Sequence, residues 1–412
     1  MQTDGKTIEE RVLSSLDRLG GGVAGLGVAL SGGGDSVALM HVVARWARER
    51  GLRAAAATVD HGLREGSAAE AEGAAAAAKA LGLEHAILRW DGSGQGNLMD
   101  RARRARQRLL SDWARKNGLD AVALGHTQDD QAETLLMRLT RGAGLDGLAA
   151  MAARRRADDM LWLRPMLDCG RAELRDWLRQ IGAEWTDDPT NENPRFERVR
   201  VRRLMTELGI DPATLARSAQ HLAGARDALN QALLPVLEGA ELRMGSVLLD
   251  RELVAGLPAE QRRRLILIAV GFVTGADYPP RRSGTDHALS EWAANRRVTL
   301  DGAVLDPGEK LLIHREPAAA MRGRLVSGVW DNRWRISGLQ AGDEVQALGA
   351  DAVLFDWRAK GLSHLEAQAL PAIRRGENLL CPALLAQDGL AAEPIRDKVD
   401  LIENRLGIEP GE

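Results

Sequence analysis

The stretch VALSGGGDSVALMHVVARW, residues 28–46, decides the fold. A short apolar run ends in Ser31, three glycines, Asp35 and Ser36, and an apolar pattern at helical spacing follows. Glycine belongs where backbone must take unusual angles or come close to a ligand. Between a strand and the first turn of a helix it lets several N–H groups converge on one anion, and the helix dipole adds partial positive charge there. Ser31, Gly32, Gly33, Gly34, Asp35 and Ser36 are therefore expected to cradle phosphate, with Asp35 placed to hold magnesium and Ser36 to donate to phosphate. The competing reading is a turn in which Asp35 merely caps the helix. No G-x-x-x-x-G-K-[ST] occurs, and G-x-G-x-x-G is not matched at this turn, so the two common nucleotide loops are set aside.

Outward from this loop, strand and helix signals alternate. GLGVALS (25–31), RAAAATVD (53–60), HAILRW (85–90) and DAVALGH (120–126) read as strands. Helices are expected through Arg50, over about 67–81, over about 97–117 and from Asp129 to Arg141. That alternation implies an α/β fold, a parallel sheet with right-handed crossovers and ligands beyond the carboxyl ends of its strands. A further helix is expected at 169–182. From 213 to 270 the pattern reads as almost wholly helical, 296–316 as hairpins, and the remainder as a mixed segment with tryptophans. The expected organisation is a nucleotide-binding catalytic domain at 1–212, a mainly helical domain at 213–318 and a small α+β domain at 319–412.

A chain of 412 residues suits two or three domains. Its two cysteines, Cys169 and Cys381, form no C-x-x-C, which disfavours an iron–sulfur cluster, a zinc ribbon or a redox dithiol. The first residues lack the apolar core of a signal peptide, and no run of about 18 apolar residues occurs, so a cytoplasmic protein without a membrane span is expected. The net charge of −3 argues against a general nucleic-acid binder, but arginine is clustered at 101–110, 154–156 and 195–203. Three such clusters point to a polyanionic partner.

S-G-G-x-D-S after a first strand resembles the pyrophosphate loop of the ATP pyrophosphatases. Within that superfamily, VDHGLREGS (59–67), GHTQDDQAETLLMRLTRGAGLDGLAAM (125–151), RPML (164–167) and DDPTNENPRFERVRVRR (187–203) are similar to motifs of the tRNA(Ile)-lysidine synthase family. Two positions depart from the family pattern: Gln107 stands where an aromatic is usual, and Val199 where an asparagine is usual. The resemblance implies an adenine-nucleotide α-hydrolase-like catalytic domain. It also implies ATP and Mg2+ as cofactors, and free L-lysine and the isoleucine tRNA with anticodon CAU as partners. The implied reaction adenylates the C2 oxygen of the wobble cytidine, and the ε-amino group of lysine then displaces AMP. The C-terminal domain would lie on the acceptor-stem side. Oligomeric state, a homodimer included, stays open.

The candidate residues follow from that chemistry. Asp60 and His61 end the second strand and would face nucleotide or lysine. His126 ends the fourth strand. Asp130 and Glu133, and likewise Asp129 and Glu133, share a helix face, so paired carboxylates could hold ammonium groups while one accepts a proton. Asp35, His126, Asp130 and Glu133 are the expected catalytic set. Arg103, Arg106, Arg198 and Arg202 are expected to meet the carboxylate of lysine, AMP or tRNA phosphate, and the segment 195–203 to close over the site. Trp330, Trp334 and Trp357 are expected in the core. A tRNA-thiolating relative is disfavoured by the cysteines, small-molecule amidation by the absence of a glutaminase half, and a non-catalytic RNA binder by the intact Ser31, Asp35, Asp130 and Glu133.

Overall fold

The computed structural model describes residues 5–62, 66–92, 98–157, 160–186, 196–276, 278–385 and 389–404. Parts of two motifs, 63–65 and 187–195, lie outside the described residues. The chain forms two compact units, residues 1–224 and 225–412.

The first unit runs α1 (Ile8–Leu19), β1 (Gly25–Ala29), α2 (Gly34–Arg50), β2 (Arg53–Asp60), α3 (Ser67–Ala80), β3 (Glu84–Arg89), α4 (Leu98–Lys116), β4 (Ala121–Ala123) and α5 (Gln128–Leu139). It continues through α6 (Leu145–Leu148), β5 (Arg154–Ala157), β6 (Met160–Leu163), α7 (Arg171–Gln180), α8 (Glu197–Glu207) and α9 (Pro212–Gln231), within which the unit boundary falls. The sheet order is β3-β2-β1-β4-β6-β5. All neighbours are parallel except β5, which runs antiparallel to β6. Strand β1 is wholly buried and all-apolar, as a central parallel strand should be. The chain leaves β1 toward β2 and β3, then returns to place β4 on the other side of β1. That reversal opens a crevice at the carboxyl ends of β1 and β4, where such sheets bind ligands.

Helix α2 is buried nearly all round because it fits between the sheet and the helices α1 and α7. Leu39, Met40 and Val43 are fully buried in that layer. Each such side chain contributes roughly 1.5–3 kcal/mol of burial free energy. Gly51 ends the helix in the left-handed conformation, with its N–H returned to the last turn.

The arginines at 154–156 lie on the edge strand β5, paired with Met160–Leu163, with Arg154 and Arg156 exposed. Two expectations need correction. The fourth strand stops at Ala123 rather than His126, because the chain turns at Gly125 to pass the start of α2. The segment 213–270 is not wholly helical. After α10 (Leu234–Glu238) it contains the hairpin of β7 (Glu241–Arg243) and β8 (Ser246–Asp250), turned by Met244 and Gly245 at positive φ, before α11 (Arg251–Gly256) and α12 (Ala259–Thr274).

The second unit continues with α13 (Arg282–Ala293), β9 (Val298–Leu300), β10 (Ala303–Asp306) and β11 (Lys310–Arg315). These strands complete an antiparallel sheet of order β7-β8-β11-β10-β9, packed on the apolar face of α12. There follow α14 (Pro317–Ala320), β12 (Leu325–Val326), β13 (Val329–Trp330), β14 (Trp334–Ser337), β15 (Glu344–Ala347), α15 (His364–Gln368), β16 (Pro371–Arg375), β17 (Asn378–Leu380) and β18 (Ala391–Pro394). They form two small sheets around a second core, in which Trp330 and Trp334 are fully buried. Trp357 packs against that core only in part, and Arg358 stacks on its ring at 4.1 Å.

Candidate active site

The three glycines of the loop have separate reasons. Gly32 sits at φ +83°, which side-chain-bearing residues rarely adopt. Gly33 is the N-cap of α2 in extended backbone. Gly34 lies under the indole of Trp185, which a Cβ would meet at 3.3 Å. Within the loop, Ser36 Oγ donates to Gly33 O at 2.8 Å and accepts from Ser31 N and Ser31 Oγ at 3.1 and 3.0 Å. Thr186 N–H closes the outside by donating to Gly32 O at 3.0 Å. The hydroxyl of Ser36 therefore shapes the loop, while the first-turn N–H groups of α2 remain the anion-facing donors.

Gly125 brings the second element in. A Cβ there would stand 3.2 Å from the backbone of Asp35 and Ser36, so only glycine lets β4 and its loop pass this close to α2. His126 follows, then Thr127, which caps α5 through a capping box with Asp130. Asp130 Oδ2 accepts from Thr127 N–H and Oγ1–H at 2.8 and 3.0 Å, which fixes the carboxylate. Asp129 turns away to cap a different helix, accepting from Arg171 N–H at 2.7 Å.

Arg171 opens α7, directly after the sheet's last crossover, and was not among the candidates. Its guanidinium donates from Nε to Asp35 Oδ2 at 3.1 Å, from Nη2 to Asp130 Oδ1 at 3.1 Å and from Nη1 to Glu133 Oε1 at 3.3 Å. Glu133, fully buried, also accepts from Arg202 Nε at 2.5 Å and Nη2 at 3.3 Å. Arg198 stands one turn earlier on α8, 3.9 Å from Asp130. Val199, Val201 and Met205 are buried on α8, and the last two pack on α5, so alternate faces of the arginine-rich helix serve core and site. Arg200 and Arg203 are exposed. Arg195 lies outside the described residues.

The electrostatics follow from this arrangement. Burial pushes the Asp35 carboxyl above its ordinary range and the charge of Asp130 adds to that, while Arg171 opposes it. Burial would also raise Asp130, but Arg171, His126 and Arg198 outweigh it and hold that carboxyl below its usual range. Arg171, surrounded by acids, is held more firmly protonated than usual despite its burial. His126 Nδ1 accepts from Arg164 Nε at 3.2 Å, so a neutral His126 carries its hydrogen on Nε2. Arg164 is itself buried and anchored by the carbonyl of Ala152.

Asp60 and His61 form a second group, at the end of β2. Asp60 Oδ1 accepts from Gly62 N–H at 2.9 Å, which with Ser67 lowers its carboxyl. The His61 ring meets Trp90 edge-on, and burial followed by the charge of Arg106 pushes its pKa down. Its Nδ1 is buried without a hydrogen-bond partner. Arg103 and Arg106 thus ride on α4 beside β2, whereas Arg198 and Arg202 reach the acidic cluster.

Asp35 Oδ1 is buried and has no hydrogen-bond partner. Among the described residues no group of three metal-ligating side chains occurs. One open carboxylate oxygen beside a phosphate cradle fits magnesium, which usually takes one or two carboxylates and completes its shell with phosphates and water.

Residues 7–208 match the PP-loop domain family. The chain is 44% identical over 369 residues to the tRNA(Ile)-lysidine synthase of Ruegeria pomeroyi, covering 87% of this chain and 88% of that one. The chain belongs to the tRNA(Ile)-lysidine synthase family. The enzymes of that name from a Bradyrhizobium species and from Rhodopseudomonas palustris are 41% and 40% identical, over 69% and 72% of this chain and 83% and 92% of theirs. Among solved structures, a U34-tRNA thiolase from Methanococcus maripaludis aligns with a TM-score of 0.45 at 17% identity, over 53% of this chain and 78% of that one.

Among lysidine synthase motifs, GHTQDDQAET is the one the structure places at the centre. Arg171 and Arg164 carried a signal of their own. An arginine at the first position of a helix opposes the helix dipole, so Arg171 announces nearby anions. Arg164 begins the RPML motif. No helix among the described residues is long and apolar enough to cross a membrane.

Proposed function

We propose that this chain ligates free L-lysine to C2 of the wobble cytidine of the CAU-anticodon isoleucine tRNA, using ATP and releasing AMP and pyrophosphate. The observation that carries the reading is the junction at Arg171. The phosphate loop's Asp35 and the acidic pair Asp130 and Glu133 meet there, with one oxygen of Asp35 left open. A phosphate cradle fused to an ammonium site is what adenylation followed by amine attack requires.

The N–H groups at the start of α2 bind and orient the triphosphate. Magnesium, held by Asp35 with phosphate oxygens, would neutralise charge that develops during adenylation. The C2 oxygen of cytidine attacks the α-phosphorus and pyrophosphate leaves. The lysine ε-nitrogen then forms its bond to C2, the C2–O bond breaks, AMP departs and the nitrogen loses its proton. Asp130, held low, is a poor proton acceptor and suits holding an ammonium group. Glu133, whose two oxygens already accept from Arg171 and Arg202, suits the same holding role, and the amine proton passes to solvent. His126, with hydrogen on Nε2, can donate to an oxygen of the cytidine or the phosphate. Arg198 and Arg202 suit the lysine carboxylate or the AMP phosphate. Asp60, His61, Arg103 and Arg106 border the nucleotide side. The resemblance supports tRNA binding by the segments 213–318 and 319–412, the latter toward the acceptor stem.

The test mixes the protein with ATP, magnesium, labelled lysine and a transcript of the CAU isoleucine tRNA, with methionine tRNA alongside. Label in the isoleucine tRNA alone supports the reaction and its selectivity. Pyrophosphate release without label would leave adenylation standing and overturn lysine as the nucleophile.

A further inference from the structure

We propose that Arg171 is a positioning residue that joins the two halves of the site: one guanidinium turns Asp35 toward the phosphates and Asp130 with Glu133 toward the lysine. The proposal rests on the reading of those carboxylates given above. Its observations are independent of that reading.

Three carboxylates, one on α2 and two on α5, converge on a side chain that enters from α7. Each takes a different nitrogen of the guanidinium. Only a planar fork spreads its donors this way, because the ammonium of lysine concentrates three donors on one atom. The backbone of Arg171 is fixed by Asp129, a neighbour of the very residue its side chain holds. The bond to Asp35 uses Oδ2, which leaves Oδ1 as the open oxygen. Without the guanidinium, Asp35 and Asp130 would lose the cation to which both are bonded. Arg202 spends Nε and Nη2 on Glu133, so its fork is committed to one half of the site.

The experiment is calorimetry on the full chain with two titrants: a non-hydrolysable ATP analogue with magnesium, and L-lysine. Arg171→Met should weaken both by at least about tenfold, the scale of a lost charge-assisted hydrogen bond. Asp35→Asn should weaken the nucleotide alone, and Glu133→Gln lysine alone. Arg171→Lys should fall between wild type and Arg171→Met for both. Arg171→Met affecting one ligand only, or Arg171→Lys matching wild type for both, would overturn the proposal. Should Arg171→Met fail to unfold cooperatively, Arg171→Lys carries the same two-ligand comparison. Wild type binding nucleotide but not lysine is a distinct result: it sinks the lysine reading and takes the joining role with it.

Discussion

Two buried charge networks, one in each unit, look alike and differ in one respect. In the second unit, Asp331 sits between Arg315 and Arg333, accepting three hydrogen bonds at 2.8 to 2.9 Å. The arginines spend further donors on the carbonyls of Gly302 and Ala369. Burial pushes Arg333 down to about 10, against the opposing pull of Asp331. Here cations outnumber anions, and both carboxylate oxygens of Asp331 are engaged. In the first unit Arg171, Arg198 and Arg202 face Asp35, Asp130 and Glu133, and Asp35 keeps a buried oxygen without a partner. A network with its acceptors filled holds a hairpin in place. One that leaves a buried carboxylate oxygen open is ready for a cationic ligand, at the expense of stability.

The largest effect expected from this contrast is on activity. Asp35→Asn should cut tRNA-dependent pyrophosphate release by roughly 10²–10³-fold, the scale of losing one electrostatic stabiliser. Its melting temperature should hold or rise, because the raised Asp35 pKa means that ionised Asp35 costs stability at neutral pH. A clear fall in melting temperature would erase the distinction between the networks. Asp331→Ala should do the opposite. It strands buried Arg333 and half-buried Arg315 and should destabilise by about 3–5 kcal/mol, read by urea unfolding, with the turnover of the folded fraction unchanged.

A smaller effect should appear with pH. Asp130 is held below its unfolded value of about 3.9. Its contribution to stability is therefore full above that value and drains away as pH falls through the folded pKa. Asp130→Asn should flatten that acid limb in unfolding measurements between pH 6 and roughly pH 2. An unchanged slope would assign the limb to other carboxylates. The smallest effect belongs to an exposed pair such as Arg53–Glu84 at 2.9 Å, whose loss should stay within measurement scatter.

Much of this was legible in the linear chain. The β1 loop, the alternation through α5 and the acidic start of that helix follow from apolar period, glycine placement and carboxylate spacing. The hairpin at 241–250 was not, because its turn is Met244–Gly245 and lacks the asparagine or aspartate that usually marks such a turn. The arginines of β5 read as a charge cluster and not as a strand, because edge strands tolerate charge on both faces.

The amino-acid sequence by itself determined the phosphate loop, the order of strands and helices and the family, since these depend on local backbone chemistry and near-neighbour spacing. It also placed Trp330 and Trp334 in the core. Only the tertiary structure decided which charges meet. Arg171 stands 136 residues from Asp35 and 38 from Glu133, and no local pattern measures such separations. Only the packing of α7 and α5 at the crevice between β1 and β4 made Asp129 a cap, Asp130 a braced carboxylate and Arg171 their common partner.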